Sequence, residues 1–493
     1  MRKQLVSGFF WMLTGSGVQS VMQFIVLIVL SRLLDPEAFG IASAALIVIT
    51  FTVVFSTLGF GPSLIQKKYI HQKHISTAFT TAIIFAIIFS IIIFASSSIV
   101  SVFFQMPELS TILKVMSVVF IIEGLTKVSE SLIQRNFLFN LLVRIQVVSY
   151  LIYGIAGTIL AIYGAGVWSL VFAQIAQKLT KSFLSLYLQP YKFRLSFDLN
   201  AFKELFYFSG GYSIAKISSE FSNQGDNFII GKFLGADALG LYSRAFQLMV
   251  APVNLMGKVL EKVLFPVMSQ IQDNNKKLNY LFVEGIRIAS TTMLPISIFL
   301  LINAENIILL LFGEKWLDLI VPFQILAISL PFRSNNKLSD SLSKSKGAVY
   351  YRALVKWTYA FLVIVMSFIG HFYGLAGTAI GVTLANILNY VLMTLLAVKL
   401  TRVSYKRIIQ CHLGGFFITI ILLIVLFPFV YYINPLINNV VVELILSIIC
   451  FITISFSCIV LASNLTLGPE GAMLIQKFKD GIKHKLNLKN KYI

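Results

Sequence analysis

Apolar runs of about 20 residues follow one another along almost the whole chain, broken only by short clusters of charged residues, Gly and Pro. A run of that length crosses a bilayer as a helix. The runs fall at 6–30, 39–61, 77–104, 110–132, 141–162, 166–188, 205–230, 239–264, 282–302, 317–340, 353–371, 375–398, 411–433 and 440–462. They predict an all-α, polytopic integral membrane protein with about 14 transmembrane helices. No polar block is large enough to form a separate soluble domain. Met1, Arg2 and Lys3 before an apolar run resemble a signal peptide, but the run to Leu30 is too long and has no small-x-small cleavage site, which predicts a retained first helix.

The pattern repeats. SRLLDPEAFGIAS, from Ser31 to Ser43, returns as GKFLGADALGLYS, from Gly231 to Ser243, 200 positions on and without a gap. KVSESL (Lys127 to Leu132) matches KLSDSL (Lys337 to Leu342) at an offset of 210. IYGAGVWSLV (Ile162 to Val171) resembles FYGLAGTAIGV (Phe372 to Val382), again near 210. The order is the same in both copies, which predicts two six-helix repeats, at 1–204 and 205–404, followed by two extra helices and a basic cytoplasmic tail at 405–493. Six is even, so the repeats have parallel topology and are related by an axis along the membrane normal, with a cavity between them opened to each side in turn.

Composition agrees with the pattern: 57% of residues are hydrophobic and 12% charged, against about 25% charged in soluble domains. The net charge of +20 suggests nucleic acid only if a soluble fold carries a basic face with readout elements, and none is visible. Instead, most of the basic residues lie in alternate loops and in the tail (Lys477 to Lys491), leaving Arg32, Lys232 and Lys315 in the opposite loops. The positive-inside rule then puts both termini in the cytoplasm. Much of the charge is topology and contact with anionic lipid.

A few polar residues fall inside the predicted spans, where charge is costly unless it faces protein or a water-filled cavity. In the seventh span Lys216, Glu220, Asn223 and Asn227 share one helix face, with Gln224 and Asp226 at its edge. The first span has Ser16, Gln19, Ser20 and Gln23 at matching places. Glu123, Lys127, Glu130 and Gln134 line a face of the fourth span, and Arg333, Lys337, Asp340 and Lys344 the equivalent face of the tenth. Each has a structural reading beside the functional one: Lys127 and Lys337 as helix-end charges that snorkel, Lys216 and Glu220 as an i,i+4 ion pair. Arg244 and Arg287, near helix ends, read as snorkelling side chains. Cys411, Cys450 and Cys458 have no zinc or disulfide spacing, and His71 and His74 read as parts of a solvated loop. No nucleophile–base set, Walker motif or HExxH is present, so neither an enzyme, a cofactor nor a metal is expected.

SGFFWMLTGSGVQSVMQFIVLIVLSRLLDPEAFGIAS and GDNFIIGKFLGADALGLYSRAFQL resemble the two signature stretches of bacterial polysaccharide exporters. These are the lipid-linked oligosaccharide flippases of the multidrug/oligosaccharidyl-lipid/polysaccharide superfamily. The resemblance spans nearly the whole chain. It departs at Asp35, where the family often has Gly; the second copy keeps Gly235. It implies a flippase moving undecaprenyl-diphosphate-linked oligosaccharide across the bacterial inner membrane by alternating access, for lipopolysaccharide, capsule or exopolysaccharide. On that reading Lys216, Lys127, Arg333 and Lys337 would meet the diphosphate, and Gln19, Gln23, Asn223 and Asn227 the sugar. Glu220, Glu123 and Asp226 would balance charge or couple to a proton or sodium ion. The last two helices would flank a groove for the lipid tail, and polysaccharide polymerase machinery would be a partner.

Two rivals remain. A drug/cation antiporter of the same fold would rely on acidic and aromatic cavity residues, whereas basic ones are as prominent here. A membrane polysaccharide polymerase would need a sizeable outward loop, and the predicted outward loops are short.

Overall fold

The computed structural model describes residues 2–57, 60–189, 195–433, 437, 439–469 and 471–473, apart from the side chains of 2–16, 57, 207, 208, 210–212, 214, 215, 258–263, 266, 349 and 433. The basic tail, Lys192, Arg194 and the polar side chain of Ser16 lie outside the described residues. The all-α expectation is borne out: the described residues form helices joined by short connections. The chain divides into two compact units, Met1–Ser243 and Arg244–Ile493.

The first unit holds α1 (Arg2–Leu33), α2 (Pro36–Thr57), α3 (Phe60–Gln66), α4 (Gln72–Phe104), α5 (Pro107–Met116), α6 (Val118–Arg135), α7 (Phe139–Ile162), α8 (Val167–Leu188), α9 (Leu199–Phe233) and the start of α10 (Gly235–Gln270). Local chemistry sets the ends. Pro36 opens α2 with Glu37 in the first turn, a position that needs no N–H donor and favours an acid. The Asp198 carboxylate caps α9 by accepting from the Ala201 amide at 2.7 Å. Leu109, Ile112, Leu113, Met116 and Phe120 are fully buried along α5 and α6. The short helix α3 ends against Arg135, whose guanidinium donates to the carbonyls of Leu64 (2.7 Å), Lys67 (2.6 Å) and Lys68 (3.0 Å). These are the carbonyls that a helix end leaves without partners. Arg135 is therefore a helix cap.

The second unit holds the rest of α10, then α11 (Asn275–Ile302), α12 (Ala304–Leu311), a 3-10 turn (Glu314–Leu319), α13 (Ile320–Ile328), α14 (Leu330–Ser345), α15 (Val349–Gly370), α16 (Gly374–Thr401), α17 (Tyr405–Pro428), α18 (Val440–Leu461) and the short α19 (Ser463–Thr466). The end of α10 is met by Lys346, which donates to the Gln272 carbonyl (2.6 Å) and the Asn275 side chain (2.8 Å). Like Arg135, this is a basic side chain spent on a carbonyl near a helix end, although at the offset of 210 the residue matching Arg135 is Ser345.

Several boundaries differ from those predicted. The span drawn at 110–132 breaks at Ser117 between α5 and α6. That drawn at 317–340 breaks at Ser329, where α13 and α14 meet at a 42° bend. Pro331 is the cause, since it has no N–H to give the carbonyl four residues back, Ala327. That carbonyl instead accepts from the Ser297 hydroxyl of α11 at 2.8 Å. The spans drawn at 205–230 and 239–264 run longer, as α9 and α10. His74 is not in a loop: it lies in the first turn of α4, buried, its Nε2 3.2 Å from the Glu204 carboxylate.

Backbone conformation repeats at the offset of 210. Gly164 and Gly374 both adopt left-handed φ, +77° and +71°. Phe137 (φ +57°) and Gly347 (φ +67°) do so as well. Among the described residues eight helical segments are long and apolar enough to cross a membrane, one of them Tyr350–Thr401 containing α15 and α16, and the bent α13–α14 pair makes nine. The helices α8, α9 and α10 carry Lys, Glu, Gln and Asn along their length and fall outside that apolar set.

Candidate functional site

In the first unit the charged groups gather between α6 and α8. Glu123 and Glu130 sit two turns apart on α6, and Lys178 and Lys181 one turn apart on α8. Although the spacings differ, the long lysine stems bridge the gap: Lys178 pairs with Glu123 and Lys181 with Glu130. The Ser129 hydroxyl fastens the same two helices by donating to the Ser185 carbonyl at 2.6 Å. Lys178 and Lys181 are thus members of interhelical ion pairs. Beside the first pair lies a cavity of about 190 Å³, lined by Thr50 of α2, Glu123 of α6, and Gln174 and Lys178 of α8, with apolar walls including Ile49 and Met116.

Lys127 and Lys337, matched in the sequence, are matched in packing. A Cβ on Gly61 would fall 3.0 Å from Lys127 Cε, and one on Gly257 would fall 2.3 Å from Lys337 Nζ. Each lysine lies along a helix whose glycine leaves room for its stem. In the second unit Lys337 reaches the Val253 carbonyl and the Asn254 amide oxygen, both at 3.3 Å. Arg333 stacks over the Phe246 ring at 4.7 Å and donates to the Ser329 hydroxyl at 3.2 Å. Asp340 collects three cations: Arg352 at 2.6 Å, Lys344 at 3.0 Å and Lys356 at 3.7 Å.

On α9, Lys216 and Glu220 form the i,i+4 pair at 3.9 Å, with Lys216 45% exposed and Glu220 16%. The structural reading of this pair therefore holds in the structure, while the lysine keeps an open side. Asn223 is exposed. Asn227 is buried and donates to the Gln224 side chain at 2.9 Å. Asp226 is buried too, accepting from the Tyr242 hydroxyl (2.9 Å) and the Asn227 amide (2.8 Å). Both of its carboxylate oxygens are thus engaged inside the unit. Gln19 and Gln23 are half-buried on α1. The structure brings Glu123 and Lys127 together on α6, and Arg333 and Lys337 together on α14, while the α9 residues form their own stripe. Arg287, expected to snorkel, pairs instead with Glu284 at 3.4 Å.

Three groups escaped the sequence reading. Gln174 and Thr50 of the α2–α6–α8 cavity were missed because what joins them is the packing of α2 against α8, which no local pattern reports. A buried chain in the second unit links Asn335 to Ser290 (3.2 Å), Ser290 to His412 Nδ1 (2.7 Å) and His412 Nε2 to the Tyr390 hydroxyl (2.7 Å). It ties α14, α11, α17 and α16 together. Near the start of α9, ahead of its apolar stretch, Glu204 pairs with Lys67 and His74. The hydrogen bond from Lys67, then that from His74, holds its carboxyl below the usual carboxylate range. Among the described residues no group of three or more His, Cys, Asp or Glu could hold a metal ion.

The fold and these interhelical charges define a polytopic membrane protein whose polar residues are spent largely on contacts between helices. The chain belongs to the polysaccharide biosynthesis protein family, whose profile matches residues 29–321, more than half its length. It is 24% identical over 435 residues to the lipopolysaccharide biosynthesis protein WzxC of Escherichia coli K12, covering 86% of this chain and 87% of that one. It is also 24% identical over 296 residues to the succinoglycan biosynthesis transport protein ExoT of Rhizobium meliloti 1021, covering 60% of each. Its fold resembles that of the lipid II flippase MurJ in an inward closed conformation, with a TM-score of 0.77 at 14% identity over 90% of this chain and 97% of that one. The family resemblance carried by the two signature stretches is borne out.

Proposed function

We propose that this protein is a flippase that moves undecaprenyl-diphosphate-linked oligosaccharide units across a bacterial inner membrane by alternating access, for lipopolysaccharide, capsule or exopolysaccharide synthesis. The observation that carries the reading is family membership over residues 29–321, joined by relatives named for lipopolysaccharide biosynthesis and succinoglycan transport. The chemistry supports it. A diphosphate needs cations held at membrane depth, a sugar needs amides and hydroxyls, and a polyprenyl tail can remain in lipid. Lys127 and Lys216 in the first unit, and Arg333 and Lys337 in the second, are the cations assigned to the diphosphate. Gln19, Gln23, Asn223 and Asn227 are assigned to sugar, with Glu220, Glu123 and Asp226 balancing charge or coupling to a proton or sodium ion.

The same reading takes the chain through the membrane 14 times as two six-helix repeats, 1–204 and 205–404, and two extra helices in 405–493, with both termini cytoplasmic. Polymerase machinery is the partner that would consume the product. Flipping of a fluorescent undecaprenyl-diphosphate oligosaccharide in proteoliposomes under an imposed ion gradient tests it. Wild type is expected to flip the probe, and Lys216→Ala and Lys337→Ala to lose flipping while remaining folded. A wild-type protein that leaves the probe in place overturns the reading.

A further inference from the structure

We infer that the cavity between α2, α6 and α8 of the first unit is a subsite for one sugar ring of the lipid-linked oligosaccharide, an assignment that rests on the flippase reading above. Its volume of about 190 Å³ is below the ~300–1,000 Å³ of pockets for drug-sized ligands. At roughly 30 Å³ per water it equals about six waters, which is the space of a single pyranose and not of an oligosaccharide or a lipid tail.

The lining is that of a carbohydrate site. The lining combines the Glu123 carboxylate, the Lys178 ammonium, the Gln174 amide and the Thr50 hydroxyl with apolar side chains including Ile49 and Met116. A sugar ring has the same two characters, with hydroxyls around its edge and C–H groups on its faces. Gln174 and Lys178 stand one turn apart on α8, so both present the same helix face to the cavity. Among the described residues neither the Gln174 amide nor the Thr50 hydroxyl has a hydrogen-bond partner, although both line the cavity. Polar groups at membrane depth without partners are costly, and a polyol supplies donors and acceptors to both.

Charge selects the sugar over the diphosphate. Lys178 is already neutralised by Glu123, so the cavity offers an anion little net attraction. The pair still serves hydroxyls, since the carboxylate accepts from two O–H groups and the ammonium donates to a third oxygen. Glu123, assigned above to charge balance, thereby orients Lys178 toward the sugar.

The test uses the full chain in proteoliposomes and two probes, undecaprenyl-diphosphate-linked oligosaccharide and undecaprenyl diphosphate without sugar. Gln174→Leu and Thr50→Val remove the amide and the hydroxyl at nearly constant size. Each is expected to raise KM for the sugar-bearing probe by about three- to tenfold, the loss of one hydrogen bond, with kcat kept and with no change for the bare lipid. A fall in kcat, or equal losses on both probes, would mark a structural role and overturn the subsite.

Occupancy is read independently of transport with Gln174→Cys in a chain whose Cys411, Cys450 and Cys458 are replaced by Ser. The sugar-bearing lipid is expected to slow maleimide labelling at 174, and the bare lipid to leave it unchanged. Equal labelling with both lipids overturns the subsite. Protection without any flipping by wild type keeps the subsite and overturns the flippase reading.

Discussion

Gly40 and Gly240, 200 positions apart, make reciprocal contacts. A Cβ on Gly40 would fall 1.7 Å from the Ala236 carbonyl oxygen, and a Cβ on Gly240 would fall 1.8 Å from the Pro36 carbonyl oxygen. The first turns of α2 and α10 therefore cross backbone against backbone, each copy of the repeated stretch doing to the other what the other does to it. The Ser43 hydroxyl donates to that of Ser243 at 3.2 Å, beside the same crossing. Such mutual contact of like with like is what a twofold relation produces. The sequence repeat is thus explained by packing as well as by position: glycine is required at both places because the obstacle is main chain, which cannot swing aside.

Gly40→Ala and Gly240→Ala should each destabilise the protein by about 1–3 kcal/mol or more, as overpacking does. Gly17→Ala, on a helix where an added Cβ meets nothing within 4 Å, should instead stabilise by about 0.5–1 kcal/mol. Thermal unfolding of the three purified variants in one detergent checks the contrast; equal effects would contradict it.

Arg135→Met should free the C-terminal end of α3, costing about 1.5–3 kcal/mol for hydrogen bonds made by a charged donor. Arg135→Lys should recover only part, since an ammonium cannot span the carbonyls of Leu64, Ile65, Lys67 and Lys68 that the guanidinium fork reaches. Hydrogen exchange over residues 60–68, with protection expected to fall most in the Met variant, is the measurement.

Asp340→Asn should cost about 3–5 kcal/mol, because it leaves Lys344, Arg352 and Lys356 facing one another around a neutral side chain. Lys356→Ala, which removes the most distant of the three, should cost far less. Denaturation of both variants in detergent would show the asymmetry, and equal losses would show that Asp340 is not the hub.

Glu204 makes stability fall in acid. Its folded pKa lies below the ordinary value of about 4.5, so the ionised carboxylate's contribution is complete above that value and is lost as pH drops through the lower, folded one. Wild type should therefore be more stable than Glu204→Gln at pH 7, and the two should converge as pH falls through the lowered folded pKa. Because Glu204 is largely exposed, the gap should be small and should shrink with salt. Melting curves of the pair across that window decide it.

Phe137 holds left-handed backbone where its counterpart is Gly347. That conformation costs an L side chain roughly 1–2 kcal/mol, and Phe137 is 45% exposed, so little packing offsets it. Phe137→Gly should raise the melting temperature, while Gly347→Phe should lower it. A shift of both variants in the same direction would remove the equivalence of the two turns.

The fold class was legible in the sequence because apolar runs of membrane length need no tertiary information to be recognised. The likeness of Lys127 and Lys337 was legible for a similar reason, since the matching stretches KVSESL and KLSDSL put each lysine at the same place along its helix. What was hidden depended on chain segments far apart. Lys178 could not be joined to Glu123, 55 positions earlier, by any local pattern. Arg135 and Lys346 could not be recognised as caps because their partners are carbonyls, which every residue carries. The break at Ser329 was signalled by Pro331, but the signal that the break is tolerated lay in Ser297, on another helix.

Ser117 and Ser329 interrupt the fourth long helix of each repeat, and each turns its hydroxyl back on the residue three before it, Lys114 and Leu326, at 2.7 Å in both cases. The interruption is therefore sealed from within: each serine hydroxyl is satisfied by its own chain and presents no bare donor to lipid, and at Ser329 the helix bends by 42° as well. A rod made in two lengths with a sealed joint can flex at that joint at less cost than a continuous helix. Each unit carries one such joint, so each can bend there without melting a helix.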